Sequence, residues 1–312
     1  MNKKKVFVTG SNGFIGSHVC KLLQAHYTVL KGVRAEHLLQ TNDPETIRLN
    51  VNSNTDWLAA LQNVDTVIHC AAIAHNNSND PNYIHEVNVE GTVNLALQAF
   101  NNGVKRIIFI SSIGVLGNQT TNNRVFNEGS PILAQFEYTQ SKAKAKAEVE
   151  LLKIAKDTGL EVVIIRPVLV YGANAPGNFG KLVNIVKKLS ILPFGSCKNK
   201  RSFISVDNLV DFISVCIEHP KAKNEVFCIS DGQDISIKEF TDAIAKGLDK
   251  KLLQIAIPNF IFYFLGKITG KADQVVQLTG DLQVDSSKAT ELIGWKPPFT
   301  MGETLQNLSK SH

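Results

Sequence analysis

Three residues have the types and spacing for moving a proton to and from a carbinol: Ser112, Tyr138 and Lys142. Tyr138 and Lys142 form a Y-x-x-x-K pair at the start of a long lysine- and alanine-rich helical stretch. Four residues of helix bring both side chains onto one face, where an ammonium beside a phenol favours the ionised form. Tyr138 is therefore a candidate proton shuttle, and Ser112, just past an upstream apolar strand, is a candidate partner. A lone Y-x-x-x-K also occurs in unrelated helices, so the pair needs a setting.

That setting begins near the amino terminus. Val6-Phe7-Val8-Thr9 reads as a short buried strand running into Gly10-Ser11-Asn12-Gly13-Phe14-Ile15-Gly16. The helix that follows carries Ile15, Val19, Leu22 and Leu23 on one face. Strand, glycine cluster and amphipathic helix in this order make a phosphate cradle: the turn is tight, the backbone approaches a pyrophosphate closely, and the helix presents free N–H groups.

Further motifs extend the pattern along nearly the whole chain. They are His69-Cys70-Ala71-Ala72, Asn88-Val89-Glu90-Gly91-Thr92, Ser111-Ser112, the Tyr138 and Lys142 pair, Arg166-Pro167 and Val170-Tyr171-Gly172. With its G-x-x-G-x-x-G spacing, the chain resembles the extended short-chain dehydrogenase/reductase family, and within it the nucleotide-sugar epimerases and reductases. The resemblance implies that a tyrosinate at 138 exchanges the proton, that Lys142 lowers its pKa and holds the nicotinamide ribose, and that Ser112 hydrogen-bonds the reacting oxygen. Ser112 is preferred to Ser111 because the family counts back from a V-Y-G segment, here Val115-Leu116-Gly117. It also implies cofactor contacts from Gly10, Asn12, Gly13, Phe14, Ile15 and Gly16, from Asn50 near the adenine, and from Ala71, Ala72, Asn88 and Pro167. On the substrate side, Asn178, Phe179 and Arg201 are expected to hold a nucleotide diphosphate, a guanidinium fork suiting phosphate oxygens.

Two departures sharpen the reading. Sugar-nucleotide 4,6-dehydratases place an Asp-Glu pair after the serine, whereas this chain has Ile113-Gly114; elimination lacks its acid and base, so dehydratase activity is rejected. NAD-specific relatives close the second strand with an Asp for the adenosine ribose, but here it ends in Val33-Arg34-Ala35-Glu36. Arg34 can pair with a 2′-phosphate, so the expected cofactor is NAD or NADP, with a lean to NADP. Glu36 reads as a solvated side chain and His75 as an exposed loop histidine. The expected activity is at C4 of a UDP-hexose, as a 4-epimerase passing through a 4-keto sugar. The alternatives are an NADPH-dependent 4-ketoreductase and, more remotely, a non-catalytic nucleotide-sugar or NADP sensor.

The positioning elements follow from periodicity. Strand-like runs at about 4–9, 27–33, 46–50, 66–70, 106–111 and 162–166 alternate with helical stretches, which predicts an α/β doubly wound parallel sheet. Residues 226–230 are expected to join the sheet. A Rossmann domain of residues 1–171 and 202–230 is expected, with an interleaved substrate lobe of 172–201 and 231–312. Asp207 is expected to cap a helix beginning at Asn208. The helices at about 82–101 and 139–157 are expected to pair into a homodimer, as the resemblance implies.

With 312 residues, 44% of them apolar, the chain can bury a substantial core, and a formal charge of +5 without a basic, aromatic-interleaved surface argues against nucleic acid. Five cysteines in no C-x-x-C spacing read as reduced thiols of a soluble cytoplasmic protein with no metal cluster. No signal peptide is recognised. The longest apolar run, residues 255–265, is shorter than the roughly 20 residues a membrane span needs, and Pro258 and Gly266 are expected to bracket a short helix there. That helix is expected to pack inside the carboxyl-terminal lobe, with docking on a membrane or a partner as the sharper alternative.

Overall fold

The computed structural model describes residues 3–35, 43–73, 80–121, 124–132, 139–268, 270 and 272–309. Tyr138, Glu36 and His75 lie outside the described residues.

Six strands alternate with helices through the first half of the chain: β1 (Lys5–Thr9), β2 (Thr28–Val33), β3 (Thr46–Arg48), β4 (Thr66–His69), β5 (Arg106–Ile110) and β6 (Glu161–Pro167). Three short strands, β7 (Leu169–Tyr171), β8 (Ile191–Leu192) and β9 (Arg201–Ser205), precede β10 (Val226–Ile229). The main sheet has seven strands in the order β10-β6-β5-β4-β1-β2-β3, every neighbouring pair parallel. Strand order reverses beside β1, so a crevice opens between the carboxyl ends of β1 and β4, where doubly wound sheets take their ligands.

Strands β4 and β5 are buried at every position and so require cover on both faces. On one face pack α1 (Phe14–Leu23) and a later helix, Val206–Glu218, through Val19, Leu23, Leu209 and Ile213. The other face holds α2 (Leu58–Leu61), α4 (Gly91–Asn101) and α5 (Thr139–Thr158) through Leu61, Leu95, Ala99 and Leu151; α3 (Pro81–His85) precedes α4. The Val206–Glu218 helix, α7, follows α6 (Gly177–Lys188). Its cap is Ser205, whose hydroxyl accepts from the Asn208 amide; Asp207, expected as the cap, lies in the first turn.

The remaining elements are β11 (Asp234–Ile235), α8 (Ile237–Gly247), β12 (Leu253–Gln254), α9 (Asn259–Ile268), α10 (Ala272–Thr279), α11 (Ser287–Ile293) and α12 (Met301–Gln306). Phe179, Phe203, Phe240 and Tyr171 form a second aromatic core, with Phe203 stacked on Phe240 at 4.0 Å. Part of the segment assigned to the lobe returns to the sheet: Leu282, Val284, Ile293 and Trp295 belong to the core beneath it, and Trp295 meets Phe212 edge to face at 4.9 Å. The reason is chemical as well as steric, because the Trp295 indole N–H finds the Asp211 carboxylate of α7 at 2.7 Å.

The apolar run starts its helix just after Pro258, but α9 continues through Gly266 rather than stopping there. Gly266 is buried against α10, where a Cβ would lie 2.9 Å from Val275, so the glycine serves close helix packing and not a C-cap. Among the described residues, no helix is long and apolar enough to cross a membrane and no cysteine is in a disulfide.

Candidate active site

Gly10 leaves β1 with φ +64°, and a Cβ on it would come within 2.8 Å of the Ala71 amide. Only glycine lets the β1 turn lie against the strand-end Ala71-Ala72 segment in this way. Gly13 is the N-cap of α1 and brings no side chain, so no capping group competes for the N–H groups of Phe14 and Ile15, and no acid occupies the first turn. Asn12 and Gly13 are exposed and Gly16 is buried. This backbone cradle fits a dinucleotide pyrophosphate.

The cradle is braced from beneath. Thr9 Oγ1 lies 2.7 Å from His69 Nδ1 and accepts from the Ala71 amide at 3.2 Å, while His69 Nε2 lies 3.0 Å from Thr92 Oγ1. Burial pushes the His69 pKa down to about 3, which keeps the ring neutral and able to donate at one nitrogen and accept at the other. Asn88 is buried and grips both backbone groups of Ile73, at 2.7 and 3.0 Å. Its amide therefore shapes the loop after Ala72. Arg34 is exposed just past β2, and Asn50 reaches the same corner by accepting from the Ala35 amide at 3.2 Å. Pro167 is buried at the end of β6 beside Ile229 of β10.

At the end of β5 the two serines differ. Ser111 is buried, with its hydroxyl on the Glu148 carboxylate. Ser112 is partly exposed, and its Oγ accepts from the Gly114 amide at 3.1 Å, leaving its hydroxyl proton available. Ile113 is buried, and a Cβ on Gly114 would lie 2.8 Å from Ser141 Oγ. A side chain at 114 would require the Ser141 hydroxyl to turn aside.

Helix α5 is locked in register by Glu148, which receives Arg166 Nη2 at 2.6 Å and Nε at 3.1 and 3.2 Å, both residues being buried. That lock decides which lysine faces inward. Lys142 is exposed, on the same side as Lys146 and Val149. Lys144, two residues on and so about 200° round the helix, turns toward the sheet. Its ammonium donates to the Ile110 carbonyl at 2.6 Å and sits 4.6 Å from the centre of the Phe109 ring. Burial lowers its pKa to about 8, which Cys70 and Glu148 partly oppose. Lys144 therefore packs at the carboxyl end of β5, while Lys142 stays on the exposed side of α5. The missed signal is periodicity: Lys144 shares a stripe with Glu148, Leu151 and Ala155, whereas Lys142 does not.

On the lobe side, Asn178 is exposed at the start of α6, 3.5 Å from Gln277 Oε1. Phe179 departs from expectation: its side chain is 1% exposed and packs on Tyr171 and Phe240, because Phe179, Leu182, Val183 and Val186 form the inward stripe of α6. Only its backbone remains for a ligand. Arg201 is buried, donates to the Gly280 carbonyl at 2.9 Å, and has its pKa lowered to about 10 by burial. Gly280, Asn199 and Gln119 are among the residues lining a polar cavity of about 420 Å³ beside it. Tyr171 is structural, its hydroxyl donating to Asp231 at 2.7 Å.

Comparison with known proteins agrees with this geometry. A family model described as the NAD dependent epimerase/dehydratase family matches residues 6–230. Over 316 residues, 99% of this chain and 95% of the relative, the sequence is 43% identical to the UDP-glucose 4-epimerase of Vibrio cholerae. It is 26% identical, over 96% of this chain and 92% of the relative, to the N-acetyl-alpha-D-glucosaminyl-diphospho-ditrans,octacis-undecaprenol 4-epimerase of Escherichia coli O157:H7. The fold matches the UDP-N-acetylglucosamine 4-epimerase from Methanobrevibacter ruminantium M1, with a TM-score of 0.78 and 22% identity over 100% of this chain and 98% of that one. With a family model spanning most of its length and a relative aligned almost end to end, the chain belongs to the NAD-dependent epimerase/dehydratase family.

Proposed function

We propose that this protein is a 4-epimerase of a UDP-hexose, interconverting the gluco and galacto configurations of UDP-glucose or UDP-N-acetylglucosamine. The observation that carries the reading is the end of β5: Ser112 has an available hydroxyl, and in the same parallel sheet the glycine turn of β1 lies against Ala71 at the end of β4, the strand next to β5. Bound nicotinamide dinucleotide supplies a reversible hydride acceptor at this position. Tyr138, as tyrosinate, takes the C4 hydroxyl proton while the C4–H leaves as hydride, and returns the proton when the 4-keto sugar is reduced on its opposite face. Ser112 holds the reacting oxygen throughout. Lys142, one helical turn on from Tyr138, is the cation that keeps it ionised, while Lys144, on the other side of α5, steadies the end of β5 through the Ile110 carbonyl. Asn178 and Arg201 face the diphosphate from the lobe. Ile113-Gly114 supplies neither of the carboxyl groups that elimination needs, which favours epimerisation over dehydration.

Arg34 favours a second reading, reduction of a UDP-6-deoxy-4-hexulose with NADPH, since an exposed guanidinium at the end of β2 suits a 2′-phosphate. One experiment separates the two. Purified protein is incubated with UDP-glucose and UDP-N-acetylglucosamine without added cofactor, and the cofactor released on denaturation is identified. Galacto products establish the epimerase; their absence, with NADPH consumed by a 4-keto sugar, establishes the reductase.

A further inference from the structure

We propose that α9 and the β8–β12 ribbon form a peripheral docking surface for an anionic phospholipid bilayer. The apolar side is unusual in its exposure: Phe260, Phe264 and Ile268, at i, i+4 and i+8 of α9, are 71, 63 and 67% exposed. They form one stripe. The opposite side of the helix is anchored, with Phe262 stacked on Phe194 at 6.0 Å and Gly266 seated against α10. The ribbon that leads into α9 continues the pattern. Ile191 and Leu253 are register partners, both exposed, and Ile255 follows on the same side two residues later. Leu189, at the end of α6, is also exposed.

Charge identifies the occupant. Residues 181–200 and 250–271 carry nine lysines and no aspartate, glutamate or arginine. Removing those nine from the chain's 33 basic residues leaves 24 against 28 acidic ones, so the chain's net positive charge resides in these two segments. The segments are stitched together: Lys250 Nζ donates to the carbonyls of Val186, Lys187 and Leu189, and the Ile255 amide pairs with Leu192. The carboxylates of the neighbouring α8 are engaged elsewhere, Glu239 on the Ser236 cap and Asp242 on Lys238 and Gln254. Asp249 and Asp273 flank the second segment in the sequence.

Aromatic and aliphatic side chains on one face with lysines around them are the composition of a helix that lies in a membrane interface. A second copy of the chain is a poor occupant, because a two-fold contact would bring this lysine-rich face against itself. The surface sits on the lobe that carries Asn178 and Arg201, so docking would hold the sugar crevice near the bilayer.

The test does not depend on the reaction catalysed. The intact protein is sedimented with vesicles of phosphatidylcholine alone and of phosphatidylcholine mixed with phosphatidylglycerol. Binding to the mixed vesicles that weakens with added salt is expected, with little binding to phosphatidylcholine. Phe260→Ser combined with Phe264→Ser should abolish it, and each of Lys188→Gln, Lys251→Gln and Lys267→Gln should weaken it by about fivefold. Circular dichroism and light scattering on each variant report folding and mass. Two results would overturn the proposal: equal sedimentation of protein and double variant with both vesicle types, or a fall in mass on the phenylalanine substitutions, which would make the stripe a contact between copies. Should the double variant fail to fold, Phe264→Trp on the otherwise unaltered chain decides: its emission should shift to the blue with mixed vesicles, and an unchanged spectrum refutes docking.

Discussion

Lys144 is the lysine of α5 that turns inward, Lys142 remaining exposed. Its ammonium rests on the Ile110 carbonyl and its pKa is lowered to about 8 by burial. Because the folded pKa lies below the ordinary lysine value, the ammonium is present below about pH 8 and is lost as pH rises through it. Lys142, one helical turn on from Tyr138, is the cation proposed to keep the phenol ionised. Lys142→Met should lower kcat by about a hundredfold to a thousandfold, and more than Lys144→Met does. Equal losses in the two methionine variants, or a larger one in Lys144→Met, would move the role to Lys144. Ser112 and the glycine turn were legible in the sequence because their chemistry is local. The inward turn of Lys144 was not, since which of three alternating lysines packs on the sheet depends on a register set by Glu148, whose partner Arg166 lies on β6.

At the scale of elements, the Glu148–Arg166 pair holds α5 against β6 and so fixes what the helix presents to β5. Both side chains are buried, with Ser111 also on the carboxylate. Glu148→Ala leaves the guanidinium without its counter-charge and should cost about 3–5 kcal/mol in unfolding free energy. Denaturant melts would read this directly; a change near zero would mean that α5 is positioned by its apolar stripe alone. Strands were readable as apolar runs because a parallel sheet is buried on both faces, and the runs at β1, β4, β5 and β6 are short and bounded. Glycine at 266 was read as a helix stop because sequence shows its freedom but not its neighbour. The burial of the Phe179 side chain was hidden for a similar reason: its position after Pro176-Gly177 is visible, while the inward direction of the stripe it starts depends on Tyr171 and Phe240, which come from other elements.

For the whole molecule, two exposed apolar surfaces have different characters. On α3, α4 and α5, Tyr83, Leu97, Phe100, Val149 and Leu152 are each more than a third exposed, and this face is proposed to pair with its copy as a homodimer. Light scattering should give twice the chain mass, and Leu97→Asp combined with Val149→Asp should reduce it to one; a monomer before substitution would dispose of the idea. Val284 and Trp295 are part of the core beneath α7, so the carboxyl-terminal segment is packed with the main sheet. The central claim is that one site removes the C4 hydride and returns it to the same sugar. UDP-glucose deuterated at C4 should give UDP-galactose that retains the deuterium, with no cofactor added. Deuterium lost to solvent, or no galacto product alongside NADPH-dependent reduction of a 4-keto sugar, would contradict it.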